Sequence, residues 1–330
     1  MRARTVAWAI TGILLAAVFL YAALRGVDLR QLGQTLTSAN LWLVTVCCVL
    51  NTVNLGLRSA RWRILLNAEG HIPAAQAFWA TAAGYFGNNF LPARAGELVR
   101  SYLITAASRL DMAYVLATAL AERVVDAIVL VLMASVALVL FPAQSGFLSV
   151  AARPFALAGL IGASVLVVLP RTGDWPQRVI ARLPMWPALR RFTSAAVDGA
   201  IRGLGTFHAG AVVWRFLALT AIIWTLDAFI AIVAASSIDM GLAWHVSLLL
   251  LAALGLASAL PSSPGYVGIY QFVAVTILEP FGYSRADAIA LVVVMQVTSY
   301  AVNAIWGAIG VAHYRRSLRE VANAKALIGR

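Results

Sequence analysis

The segment NNFLPARAGELVR, Asn88 to Arg100, sets two carboxamides, a proline and three ionisable groups inside an apolar run. These residue types suit an anionic head group. The guanidinium of Arg94 or Arg100 can grip a phosphate through two parallel hydrogen bonds. Asn88 and Asn89 can serve a polar ligand, or backbone groups freed by a break. Pro92 removes an amide donor and ends a helix, and Gly96 permits close approach of a second backbone. Glu97 lies three residues from both arginines, so an internal ion pair closing a hairpin is the competing reading.

Two further constellations carry polar chemistry in apolar surroundings. In ALAERVVDAIVL, Glu122 and Asp126 are four residues apart on one helix face, with Arg123 beside them. Ionisable groups inside a span are expensive and mark functional candidates. A salt-bridged brace and a proton- or ion-coupling site both fit, and a network with the basic hairpin is expected. In SALPSSPGYVGIYQF, Pro261, Pro264, Gly265 and Gly268 break the helix, while Ser262, Ser263 and Gln271 offer hydroxyls and an amide. A half-helix starting after Pro264 would turn its positive dipole end toward an anion; a proline-glycine turn at the surface is the alternative. Asp227 lies deep in another apolar run and requires a partner that sequence does not name, whereas Arg215 sits near the end of that run and can snorkel.

The elements that position these residues follow from composition. The chain has 330 residues, 62% hydrophobic and 12% charged, about half the charged fraction of a soluble domain. Continuous apolar runs of about 20 residues, enough for roughly 30 Å of hydrocarbon, predict an all-α polytopic membrane protein and argue against an alternating barrel. Six full spans are expected at about 5–24, 40–57, 113–141, 151–169, 212–235 and 286–311. Two more stretches, about 74–105 and 243–280, are interrupted by proline and polar residues.

Basic residues set the direction. Arg2 and Arg4 place the N-terminus in the cytoplasm. Arg58, Arg61 and Arg63 are read as a cytoplasmic loop after the second span, and Arg109 precedes the third span on the same side. The stretch 74–105 therefore enters and leaves on one side, as a re-entrant hairpin. The segment 170–211 and the C-terminus, both rich in arginine, are cytoplasmic, so 243–280 enters from outside. The result is a first repeat, 5–141, and a second, inverted repeat, 151–311, each with one hairpin. Paired interruptions in inverted halves point to a transport site near the midplane. The linker 170–211 carries an amphipathic pattern at 189–207 that suits a helix on the cytoplasmic surface or a plain connection.

Other functions find no support. The net charge of +12, with 24 arginines among the 25 basic residues, is absorbed by loop asymmetry and attraction to anionic lipid, and no nucleic-acid pattern accompanies it. The four histidines and the adjacent Cys47 and Cys48 lack metal-ligand spacing, and no cofactor motif occurs, so neither metal nor cofactor is expected.

The motifs RSARWRILL (Arg58 to Leu66), NNFLPARAGELVR, ERVVD (Glu122 to Asp126) and LPSSPGYVG (Leu260 to Gly268) resemble, in order and spacing, the flippase-like family that includes the membrane domain of lysylphosphatidylglycerol synthases. The resemblance implies a bacterial inner-membrane protein that moves lipids between leaflets. Only about 19 residues follow the last expected span, so the soluble synthase domain of full-length family members is not expected, and neither is enzymatic activity. A phospholipid, a polyprenyl-linked sugar lipid or a hopanoid-type lipid would be the substrate. Two alternatives remain: an intramembrane lipid-modifying transferase, and a non-transporting scaffold for a lipid-synthesis enzyme.

Overall fold

The computed structural model describes residues 17–90, 95–140, 210–258 and 264–328, with a few isolated positions besides. All regular elements among them are helical. They are α1 (Leu29–Thr37), α2 (Leu41–Leu66), α3 (Ala74–Phe90), α4 (Gly96–Ala107), α5 (Met112–Leu140), α6 (Gly210–Ser236), α7 (Trp244–Ala257), α8 (Ile269–Leu278) and α9 (Arg285–Ile328). Residues 17–24 are helical as well. Three of these helices, over Leu41–Leu66, Val212–Ser236 and Arg285–Tyr314, are long and apolar enough to cross a membrane.

Burial is distributed as hydrocarbon solvent requires. Leu41, Trp42, Trp214, Val297 and Ile305 are exposed, whereas Arg61, Arg100, Glu122 and Asp126 are buried. In water this arrangement would forfeit hydrophobic burial and charge hydration together; in a bilayer the apolar exterior meets lipid and the charges meet one another. The chain is a multi-pass helical membrane protein.

Helix starts follow local capping chemistry. The Asn40 side chain accepts from the amides of Trp42 and Leu43 ahead of α2, and Ser284 Oγ accepts from the Asp287 amide at the head of α9. Both supply acceptors to first-turn amides that lack a helical partner.

Each interrupted stretch is a pair of short helices packed on each other: α3 with α4, and α7 with α8. The first pair closes on glycine. A Cβ on Gly96 would lie 1.9 Å from the Gly84 carbonyl oxygen, so no other residue fits without parting the helices. At the second break, Gly265, Tyr266 and Gly268 all have positive φ, 73°, 56° and 90°. The two glycines adopt this conformation freely; Tyr266 does so at a cost. Helix α9 lies against α3, where Gly307 and Gly310 bring it close to Phe86 and Trp79, the small-residue contact common between membrane helices.

The structure corrects one reading. Helix α2 does not end near residue 57 but continues to Leu66. Arg58 and Arg61 are therefore helical, turned inward and ion-paired, and of the three only Arg63 remains near the helix end. The cause is the acids on α5 and α6, which draw these arginines inside. The helix beginning at Arg285 also runs well past residue 311. The expected span at 151–169, the linker 170–211 with its surface helix at 189–207, Pro92, Arg94, Pro261, Ser262 and Ser263 lie outside the described residues.

Candidate functional site

Among the described residues, four arginines and four carboxylates meet in the centre of the helix bundle. Arg61 on α2 is fully buried and grips two acids of α5. Its Nη2 donates to Glu122 Oε1 at 2.8 Å and to Asp126 Oδ2 at 2.9 Å, and its Nη1 donates to Asp126 Oδ1 at 2.6 Å. Thr220 Oγ1 on α6 takes a further bond at 3.2 Å, and the guanidinium lies over the Phe216 ring. The spacing of Glu122 and Asp126, one helical turn, is what lets one fork reach both.

Arg100 on α4 binds Glu97 Oε2 at 2.6 Å and Glu122 Oε2 at 2.9 Å, and stacks on Trp62 with 4.4 Å to the ring centroid. Arg123 reaches Glu97 Oε1 at 3.0 Å and Asp126 at 3.5 Å. Asp227 on α6 finds its partner in Arg58 of α2, at 2.5 Å, supported by Asn54, whose Oδ1 accepts from Arg58 Nε and whose Nδ2 donates to Asp227 Oδ1. Trp224 joins the two groups: its indole N–H donates to Asp126 Oδ1, and Arg58 lies over its ring. Isolated charges at this depth would cost several kcal/mol each, and mutual pairing offsets that cost.

Beside this network lies a cavity of about 240 Å³. Its lining comes from both interrupted stretches and the helices around them. Asn51 and Arg58 come from α2, Tyr85, Asn88 and Asn89 from α3, Arg123 from α5, and Trp224 and Asp227 from α6. Gly255 of α7, Ser258 just after it, Tyr266 at the break, Tyr270 of α8, and Gln296, Ser299, Tyr300 and Asn303 of α9 add to the wall, and Ile230, Leu251, Leu254, Val292 and Met295 complete it with apolar surface. Tyr266 and Tyr270 stack face to face, 4.8 Å between centroids and 10° between planes. Asn88 Oδ1 and Asn89 Nδ2 are buried without a hydrogen-bond partner.

The broken backbone at the second interruption is held by side chains. Gln296 Nε2 donates to the Gly265 carbonyl at 2.8 Å, and the Tyr300 hydroxyl donates to the same oxygen. Gln271 Oε1 accepts from the Gly268 amide at 2.7 Å, and its Nε2 donates to Gln296 Oε1 at 2.6 Å. Gly265 has two donors, so Tyr300→Phe is expected to cost only about 1 kcal/mol, read as a small fall in the thermal midpoint in detergent.

Of the residues singled out by sequence, Asn88, Asn89, Arg123 and Asp227 line the cavity. Glu97, Arg100, Glu122 and Asp126 form the charge network behind it; Arg100 is 2% exposed and taken up by two carboxylates. Gln271 braces the second break rather than facing the cavity. Glu97 pairs with Arg100, as one sequence reading had it, and also with Arg123. Among the described residues no cluster of three or more His, Cys, Asp or Glu could hold a metal.

Sequence reasoning read Arg58 and Arg61 of α2 only as loop charges and a family motif, and did not single out Asn51 and Asn54 on α2, nor Gln296, Ser299, Tyr300 and Asn303 on α9. The signal was periodic. Positions 51, 54, 58 and 61, and 296, 299, 300 and 303, are polar stripes at helical spacing in otherwise apolar helices, an inverted amphipathic pattern that marks an inward face in a membrane protein.

The lysylphosphatidylglycerol synthase TM region matches residues 9–307, nearly the whole chain. The chain belongs to this family. A curated relative, the glycosyltransferase AglD of Haloferax volcanii, is 26% identical over 334 residues, an alignment covering 90% of this chain and 53% of that protein. The chain thus spans about half the length of the curated relative it matches. The cavity and its ion-pair network fall within the matched region.

Proposed function

We propose that this family member moves a polar-headed lipid between the leaflets of the cytoplasmic membrane, with the head group passing through the central cavity and the tails remaining in the bilayer. The observation that carries this reading is a cavity walled by both interrupted helix pairs, with carboxamides, hydroxyls and two arginines set in a largely apolar wall. At 1.5 Å per residue, α3 and α4 reach about 26 and 18 Å, and α7 and α8 about 21 and 15 Å, all short of a hydrocarbon core of about 30 Å. Re-entrant hairpins from opposite sides are the economical arrangement. The packing supports an inverted repeat. If α2 exchanges with α6, α3–α4 with α7–α8, and α5 with α9, the α9–α3 contact becomes the α5–α7 contact, while α2–α6 maps onto itself. Transporters built this way bind substrate between the repeats.

The test is a leaflet-accessibility assay on purified protein in liposomes, with lipids fluorescently labelled on the tail. Ser299→Phe places a large ring in the cavity and leaves the ion pairs intact; at least a tenfold slower exchange is expected. Exchange at the wild-type rate, or no exchange of any lipid class by the wild type, would overturn the proposal. A second reading comes from the archaeal relative, a glycosyltransferase: a transferase acting on a lipid in the same cavity. Formation of a labelled glycolipid by the purified chain would favour it.

A further inference from the structure

We infer that the head group accommodated by the cavity is an uncharged glycosyl group, rather than a bare phosphate or a cationic aminoacyl group. This rests on the proposal that the cavity receives a lipid head group. The argument is one of charge already spent. Among the described residues of the network, Arg58, Arg61, Arg100 and Arg123 face Glu97, Glu122, Asp126 and Asp227, four cations against four anions. The two arginines on the cavity wall are both engaged: Arg58 by Asp227 and Asn54, Arg123 by Glu97 and Asp126. A phosphate would add an anion to a network already balanced, competing with Asp227 for Arg58 or with Glu97 and Asp126 for Arg123, and an ammonium would compete with Arg58 for Asp227.

Among the described residues, what the wall leaves unspent is neutral. Asn88 presents a buried acceptor, its Oδ1, and Asn89 a buried donor, its Nδ2, neither with a partner. Asn89 is 8% exposed and lines the cavity. Unmet groups at such depth are costly to keep, and a ligand that satisfies both recovers that cost. Neighbouring hydroxyls serve this pair well, since each donates and accepts. The parallel rings of Tyr266 and Tyr270 form a flat apolar platform on the same wall, and Tyr266 is held there with positive φ. A ring with hydroxyls at its edge and C–H groups on its face matches carboxamides beside an aromatic platform.

The experiment uses the full chain in phosphatidylcholine nanodiscs, with thermal unfolding followed on adding one of three lipids with identical tails: a monoglucosyl diacylglycerol, phosphatidylglycerol and lysylphosphatidylglycerol. The glucosyl lipid is expected to raise the midpoint by several degrees. Asn89→Leu and Tyr266→Ala are each expected to abolish that rise, and Asn89→Leu to leave the ligand-free midpoint unchanged or higher. Asn88→Leu supplies a second carboxamide variant should either of these fail to fold. An equal or larger rise with either charged lipid, or no rise with the glucosyl lipid, overturns the inference. The liposome assay separates the two proposals. A glucosyl lipid that binds without crossing sinks transport and keeps the ligand class, whereas a charged lipid that binds and crosses does the reverse.

Discussion

Replacing Arg61 by alanine is expected to cost about 3–5 kcal/mol of folding free energy. The guanidinium is fully buried and serves both Glu122 and Asp126, so its loss leaves carboxylates at membrane depth with one cation too few. Arg100 still reaches Glu122 from α4, but Asp126 keeps only the 3.5 Å contact to Arg123 and the indole bond from Trp224. The measurement is thermal unfolding in mild detergent, with monodispersity after solubilisation as a second readout. Charge balance makes a sharper comparison. Arg61→Ala combined with Asp126→Asn restores equal numbers of cations and anions, so it should recover a clear part of the lost stability. If the double variant is no better than the single one, the network does not act through charge pairing.

The same arithmetic shows how much was legible in advance. Glu122 and Asp126 on one face of an apolar segment announce an internal network, and it exists. Their main partner was misplaced, because counting basic residues between spans assigns every arginine near a helix end to a loop. Arg61 is followed by Trp62, Leu65 and Leu66, all buried, and periodicity alone extends the helix through them. The acids themselves hold the missing information: each one inside a span demands a cation at the same depth. Among the described residues Arg123 and Arg100 are too few for Glu97, Glu122, Asp126 and Asp227, and Arg58 and Arg61 supply the balance. Partner identity is a different matter. That Asp227 meets Arg58 across 169 residues depends on α2 packing against α6, which no local pattern encodes.

The interrupted stretches were legible for a simpler reason. Proline, glycine and paired carboxamides within apolar runs conflict with an uninterrupted helix, and both stretches do fold as pairs of short helices. What sequence could not supply is which side chains hold the broken backbone. At the second break they come from Gln296 and Tyr300 on a different helix.

Gly96→Ala is the second large effect expected, and it connects the fold to the cavity. The added methyl would sit 1.9 Å from the Gly84 carbonyl oxygen and 2.6 Å from both the Asn88 backbone nitrogen and its Oδ1. Two of these three obstacles are backbone atoms, which no rotamer change can move. Helices α3 and α4 must therefore part by more than 1 Å, an overpacking cost of about 1–3 kcal/mol or more. The displacement falls on Asn88, which lines the cavity, and on the start of the helix that carries Glu97 and Arg100. Both stability and lipid exchange should fall, exchange by tenfold or more, even at temperatures where the variant stays folded. Gly307→Ala is the informative control. Its methyl would meet Phe86 Cβ at 2.3 Å, so it also crowds α3, but from the α9 side and away from Asn88. It should lower the thermal midpoint while exchange at permissive temperature stays nearer the wild-type rate. Equal exchange defects in the two variants would mean that crowding α3 anywhere is enough, and that the closure of α3 on α4 has no separate role in shaping the cavity.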